Sequence, residues 1–274
     1  MNLKITSGVA LLAMTVLSGS AMAAGGQSSV GVPSLPSKGH FSVTPEGGTN
    51  FNVGGEFVKS DTQYWDGVTI GGQAMTATSV SVKSESFSDV YEAPIVAGLS
   101  FGYGLSDRDE VSAVLRYMHA SAKSFTALHV NGTGTFGANT YTDTDLNGKF
   151  NDYSEYGLEG NYRHFFALGS GKSFHPYVGG LIGVKRTGDI NLDVTDQSGN
   201  AVLSGAKFYK AGFSWSSGLE VVFRYDVTKN LALGLETGFR IEGNLQENND
   251  ELSKVNSAGN RWDIPVQVGL TYKF

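Results

Sequence analysis

The sequence contains no cysteine, no cluster of Lys and Arg, and no long apolar run beyond its first residues. Each absence excludes something. Without cysteine no disulfide framework can staple an exported chain of this size, so stability must come from backbone closure and packing. A formal charge of −6 with no basic patch offers nucleic acid no electrostatic footprint. No stretch approaches the roughly 20 apolar residues of a membrane-spanning helix, and the hydrophobic content is 40%. There is also no helical region of useful length, which leaves a second globular domain nowhere to sit.

What is present points to export and to strands. Lys4, the apolar run Val9–Leu17 and the small-x-small triplet Ala21-Met22-Ala23 have the layout of a secretory signal peptide, with cleavage expected after Ala23. Residues 1–23 are therefore set aside as signal. Residues 24–48, rich in Gly, Ser and Pro, are expected to form a flexible periplasmic tail. The 37 glycines, 16 Phe and 12 Tyr suit strands with one face in lipid and the other in polar surroundings. Lipid offers backbone amides no partner, so such strands must close into a barrel.

Alternation gives the strand count. Trp262, Ile264, Val266, Val268, Leu270, Tyr272 and Phe274 share one parity, with Asp263, Gln267, Thr271 and Lys273 on the other. The same pattern appears at 231–241, 213–225, 153–168, 111–122 and 93–105, and at 50–59 with Phe51, Val53 and Phe57 outward. Segment 174–186 is too apolar on both parities for a face to be assigned. The total is eight strands. Segment Thr76–Phe87 would raise it to ten as a further hairpin, but is read as an upward extension of the second strand.

Loop lengths give an independent test. Ser106–Glu110, Gly169–Ser173 and Val227–Asn230 are tight, whereas Ser60–Tyr91, Lys123–Asp152, Thr187–Lys210 and Gly243–Asn260 are long and polar. Strict alternation of short and long is the layout of an outer-membrane barrel, short inside and long outside. Residues 49–274 are thus expected to form an all-β, transmembrane, antiparallel up-and-down barrel with four long extracellular loops. Tyr103, Phe166, Tyr225, Tyr272 and Phe274 fall near the tight-turn end, and Tyr117, Tyr156, Trp215 and Trp262 near the other, as interfacial belts require.

The inward parity carries Glu159/Arg163, Glu220/Arg224 and Glu236/Arg240, each a Glu-x-x-x-Arg with both side chains on one face of a strand, joined by Glu56, Arg116 and Asp263. An eight-stranded barrel is only wide enough for side chains to fill it. The expectation is a structural ion-pair plug, with a narrow ion path as the alternative.

Two motifs invite chemistry. His119-Ala120-Ser121 suggests a lipid hydrolase, but His119 shares the outward parity and no orienting carboxylate can be assigned. Asp143, Asp145 and Asn147 match the opening of a calcium loop, yet Ser154 holds the twelfth position where glutamate belongs. The remaining histidines, His40, His129, His164 and His175, are scattered. No catalytic, cofactor or metal residue is assigned.

The terminal Val-Gly-Leu-Thr-Tyr-Lys-Phe274, the run Pro176-Tyr177-Val178-Gly179-Gly180, and Tyr225-Asp226 turning into Leu231-Ala232-Leu233 together resemble small outer-membrane barrels of the OmpA transmembrane-domain, OmpX and opacity-protein type. The resemblance implies an outer-membrane location and insertion by the barrel assembly machinery, which reads the terminal Phe274. No peptidoglycan-binding domain follows the last strand, so wall anchoring is not expected. The expected function is a non-enzymatic scaffold whose loops serve adhesion, host contact or envelope integrity. Outer-membrane lipids and lipopolysaccharide are its surroundings, and a host or matrix ligand is the expected loop partner. A small channel for ions or amphipathic solutes, and a lipid A hydrolase, are the alternatives.

Overall fold

The computed structural model describes residues 36–70, 72–76, 78–166, 173–248, 255–256 and 259–274. The signal-peptide expectation and most of the Gly169–Ser173 turn lie outside them. In chain order the elements are β1 (Phe41–Gly54), β2 (Glu56–Val58), β3 (Asp61–Trp65), β4 (Val68–Ile70), β5 (Gln73–Thr76), β6 (Thr78–Val82), β7 (Glu85–Ser86), α1 (Phe87–Val90), β8 (Ile95–Gly104), β9 (Asp109–Ala120), β10 (Ser124–Phe136), β11 (Asn139–Phe150), β12 (Tyr153–Phe165), β13 (Phe174–Thr187), β14 (Ile190–Thr195), β15 (Ala201–Lys210), β16 (Gly212–Asp226), β17 (Leu231–Glu242), β18 (Gln246–Glu247) and β19 (Arg261–Lys273).

Eight of these close into an antiparallel barrel in the order β1-β19-β17-β16-β13-β12-β9-β8, with β8 returning to β1. Alternation is the cause. In β9 Val111, Leu115 and Tyr117 are exposed while Ser112, Val114 and Arg116 are buried, and β19 repeats the pattern with Trp262 and Val268 out and Asp263 and Gln267 in. All nine girdle aromatics expected from the sequence are exposed, five near the tight turns and four near the long loops. This is a polar interior inside an apolar exterior, the reverse of a soluble sandwich.

Strand β13, whose face the sequence left open, points Val178, Ile182 and Val184 outward and His175, Tyr177, Leu181 and Lys185 inward. Its inward apolar residues are explained by a small cluster of Phe165, Tyr177 and Val222 inside the barrel. Tyr177 packs there tilted against Phe165, with ring centroids 4.5 Å apart, and lies 5.4 Å under the Arg163 guanidinium.

The first strand departs from expectation. It starts at Phe41, so 41–48, read as flexible tail, are barrel wall paired with both β19 and β8. It ends at Gly54, because Gly55 adopts φ +98°, which a side chain would resist. Phe57, expected to face lipid, is consequently buried outside the barrel wall. The side chain of Val53 lies outside the described residues.

The described residues of the long connections are largely strand. They fold into a nine-stranded sheet, ordered β18-β15-β14-β11-β10-β5-β4, with β6 pairing β10 and β3. A short β2–β7 pair and α1 sit between this sheet and the barrel mouth. Segment 76–87 therefore neither adds a barrel hairpin nor extends the second strand; its β6 joins this outer sheet. We call the assembly the cap. It encloses an apolar core that includes Trp65, Met75, Val80, Val130, Leu146, Val194 and Phe208.

Candidate functional site

Two parts of the molecule could carry function, the barrel lumen and the cap. Inside the lumen, the strands place inward side chains in charged layers. At the barrel's middle Arg116 contacts Glu46 at 3.0 Å and Glu159 at 3.2 Å, and donates to Gln267 at 2.7 Å. Nearer the tight turns Arg163 bridges Glu220 at 2.8 Å and Glu110 at 3.2 Å, while Asn161 donates to Glu220. Arg224, Lys273 and His175 gather around Asp226 at the end. Below the cap, Arg261 reaches Glu242 at 2.9 Å and Glu155 at 3.3 Å, and Lys185 contacts the same two carboxylates.

The expected ion-pair lumen is present, but its wiring differs from the sequence reading. Of the three Glu-x-x-x-Arg repeats only Glu236 and Arg240 pair with each other, at 2.9 Å. Arg163 and Arg224 pair with carboxylates other than their own Glu159 and Glu220. The partners of Arg163 come from other strands because a lumen this narrow brings facing walls within side-chain reach, whereas Asp226 lies two residues beyond Arg224 at the end of the same strand, β16. Glu56 is not in the lumen: it sits in β2, where its carboxylate accepts from Ser84 at 2.9 Å. Its place is taken by Glu46, one of several lumen groups the sequence reading passed over, with Glu110, Glu155, Lys185, Glu242 and Arg261. Asp263 is buried as expected. The central cavity, lined by Thr44, Glu46, Arg163 and Glu236 among others, is about 20 Å³, room for a single water.

Beneath the tight-turn end a larger cavity of about 280 Å³ opens, lined by His40, Ser42, Glu110, Lys229, Lys273 and Phe274 among others. There Nδ1 of His40 lies 2.8 Å from the Phe274 carbonyl oxygen.

The cap is keyed to the barrel mouth by aromatic rings. Phe57 packs edge-on against Phe87, Tyr91, Phe150 and Tyr209 with centroids 5.2–5.9 Å apart. Tyr153, at the top of β12, meets Phe87 at 5.0 Å. Two buried hydroxyls lock this hub: Tyr209 donates to the Phe57 carbonyl at 2.5 Å and Tyr91 to that of Asn151 at 3.1 Å. Burial, reinforced by nearby Glu247 and Asp152, pushes both phenols well above the usual range, so they stay donors.

This has a pH consequence. In the unfolded chain both tyrosines ionise near pH 10, about their ordinary value. Above that pH the unfolded state releases protons that the folded cap retains, so stability present below pH 10 falls as pH rises. Trypsin digestion across pH 8–11.5 is expected to show cap cleavage growing above about pH 10 while barrel strands remain protected. Uniform protection across the range would refute it.

The cap's outer face is polar and ordered. Rows of side chains run across strands, Thr62 beside Ser81, Ser81 beside His129, and His129 beside Asp145 at 2.8 Å. Asn131 donates to Ser81 at 2.8 Å, and Thr133 and Thr142 are 3.0 Å apart. Tyr64 stands out, 66% exposed.

The chemical motifs fall here or nearby. Asp143, Asp145 and Asn147 lie on β11, an extended strand, so the calcium-loop reading fails: a strand cannot wrap an ion in a twelve-residue turn. Asp143, at φ +40°, instead accepts from the Gly132 amide at 2.6 Å. His119 Nδ1 lies 3.3 Å from Ser154 Oγ, across the ladder from β12. His164 and His175 face Asp109 and Asp226. Among the described residues no three His, Cys, Asp or Glu side chains could hold a metal ion.

No protein-family model matches the chain, and no curated protein matches it. Among solved structures it is similar to Neisserial surface protein A, at 15% identity over 85% of this chain and 97% of that one, with a TM-score of 0.39. It is also similar to the outer membrane protein OprG from Pseudomonas aeruginosa, at 14% identity over 89% and 99%, TM-score 0.42. A third is Ail, the attachment invasion locus protein of Yersinia pestis, solved with the heparin analogue sucrose octasulfate, at 11% identity over 86% and 99%, TM-score 0.36.

The membrane assignment rests on the barrel's own surface. A closed sheet with exposed Leu115, Leu158, Ile182 and Leu219 around a charged interior, edged by aromatic girdles, is stable only in a bilayer. The chain is a small eight-stranded outer-membrane barrel.

Proposed function

We propose that this barrel is a surface scaffold and that its cap is the recognition element, serving adhesion, host contact or envelope organisation. The observation that carries the reading is the cap's own apolar core. Loops that only connected strands would not need one, whereas a binding surface gains affinity from being rigid before its partner arrives. The polar face of Tyr64, Ser81, Asn131 and Thr133 is the patch we assign to contact with a host or matrix ligand. Outer-membrane lipid and lipopolysaccharide are its lateral partners at the girdles, and the barrel assembly machinery its partner during insertion.

The test compares the full chain with a variant whose four long connections are cut to short turns. Both should show heat-modifiable migration on a denaturing gel, the mark of a folded barrel. Cell and matrix binding should be confined to the full chain; equal binding by the trimmed barrel ends the proposal. The reading is non-enzymatic, so lipid A mass spectra should be unchanged on expression. Purified protein in a planar bilayer should give no steady conductance, because the lumen is crossed by ion pairs in every layer; a stable open level would favour the channel reading.

A further inference from the structure

One side chain that the wall strands turn toward lipid is a full cation. Arg186 follows Ile182 and Val184 on the outward parity of β13 and is exposed. No other Lys or Arg among the described residues of the eight wall strands faces that way. A charge on the lipid face is costly at the bilayer midplane and nearly free only at headgroup depth. Arg186 lies at that depth. Its ladder neighbours are Tyr156 on β12 and Phe213 on β16, one pair above Trp215. That end of the barrel carries the long connections, so the leaflet it meets is the outer one.

The Arg186 guanidinium lies 6.0 Å above the Phe213 ring, which is 73% exposed. Among the described residues no carboxylate pairs with it. Asp189, three residues on, is engaged by Lys207 at 2.9 Å and by the Ala211 amide at 2.7 Å. A guanidinium without a carboxylate keeps its N–H fork free, and that fork matches two oxygens of a phosphate. Across β12 the same face continues. Tyr156 is 64% exposed and stands opposite Tyr117, the two rings tilted with centroids 5.0 Å apart. Above them Ser154 Oγ lies 3.3 Å from His119 Nδ1 and 3.4 Å from the Tyr117 hydroxyl. Below them Leu115, Leu158, Val184 and Ile182 are exposed. From the rim toward the midplane the wall thus offers a hydroxyl and an imidazole, then two phenol rings beside one arginine, then hydrocarbon. On the far side of the girdle Ile241 and Trp262 face each other with no cation beside them.

We propose that Arg186, Tyr156 and Tyr117 form a site for one lipopolysaccharide molecule, with Arg186 taking a phosphate of its lipid A headgroup. The inference rests on the reading that lipopolysaccharide is the barrel's lateral partner. The match is one of charge: an unpaired cation stands at the depth where the outer leaflet presents phosphate. The sugar ring lies against the tyrosine pair, Ser154 and His119 meet its hydroxyl groups, and the acyl chains run down over Leu158 and Ile182. A phosphatidylglycerol headgroup brings the phosphate but no sugar ring for the tyrosines, which favours lipid A.

The full chain is inserted into phosphatidylcholine vesicles containing a small fraction of lipid A, extracted in mild detergent and weighed intact. One lipid A is expected to stay bound per protein. Arg186→Gln should lower retention about tenfold, through loss of a hydrogen-bonded contact to a charged group. Tyr156→Ala should lower it several-fold. Ile241→Ala, lipid-facing on the far side, should leave it unchanged. Lipid A stripped of its phosphates should be held equally weakly by wild type and R186Q, and phosphatidylglycerol added in equal amount should displace little. Undiminished retention by R186Q, equal loss in I241A, or full displacement by phosphatidylglycerol each overturns the site. A wild-type chain that retains no lipid A would remove the lateral-partner reading and the site together. Heat-modifiable migration, kept by every variant, separates loss of the site from loss of the barrel.

Discussion

Replacing Arg261 by leucine is expected to destabilise the barrel by about 3–5 kcal/mol, the usual cost of removing one partner from a buried ion cluster. Arg261 is 1% exposed, and it bonds Glu242, Glu155 and the Tyr153 hydroxyl. Its removal leaves two carboxylates with Lys185 as their remaining cation in the layer below the cap. The midpoint of urea unfolding, read by the heat-modifiable band, should fall accordingly. Adding Glu242→Gln to R261L should recover part of the loss, because the uncompensated charge goes with it. The control is Lys207→Ala, which breaks the exposed pair with Asp189 and should cost at most about 0.5 kcal/mol. A midpoint for R261L matching K207A would show that the lumen cluster is not what holds the wall.

Phe57→Ala should have a comparable effect in a different place. A buried phenylalanine truncated to alanine costs about 3–5 kcal/mol, and this ring touches four other aromatics. None of those contacts belongs to the barrel ladder, so the loss should fall on the cap. Trypsin is expected to cut F57A at cap lysines such as Lys123 and Lys207, leaving a protected barrel that still migrates anomalously before heating. Lipid-facing Ile182→Ala, tested alongside, should leave the cap resistant. Global unfolding of F57A, without an intermediate that keeps the barrel, would contradict the separation of the two parts.

The barrel was legible because lipid imposes a strict period of two and a closed sheet, and the strands from 93–105 through 262–274, all but 174–186, carry that period. The first strand was misplaced because Gly47, Gly48, Gly54 and Gly55 blur the alternation there, and the break at Gly55 is a backbone event with no apolar signature. The cap was missed for another reason. Its strands alternate as well, as Ile190, Leu192 and Val194 show, all three buried. They lie in connections classed as loops by their polarity, although connections of more than about 12–15 residues without structure of their own are uncommon. The lumen charges could be read as a set, since inward parity picks out Arg116, Arg163 and Arg240. Who pairs with whom could not, because that depends on the stagger of strands distant in sequence.

One contact in the barrel joins residues far apart along the chain: β1 on β19, Ser42 opposite Lys273, while every other neighbour in the ring is the next wall strand in order. Until β19 has crossed the inner envelope, β1 therefore waits with a row of unpaired amides, the kind of edge that recruits stray strands. A long-range pairing of this sort is also slow to form. Biogenesis should then be limited by the zipping of this seam. A chaperone that shields β1 during transit should raise the yield of inserted protein far more than one acting on any later segment.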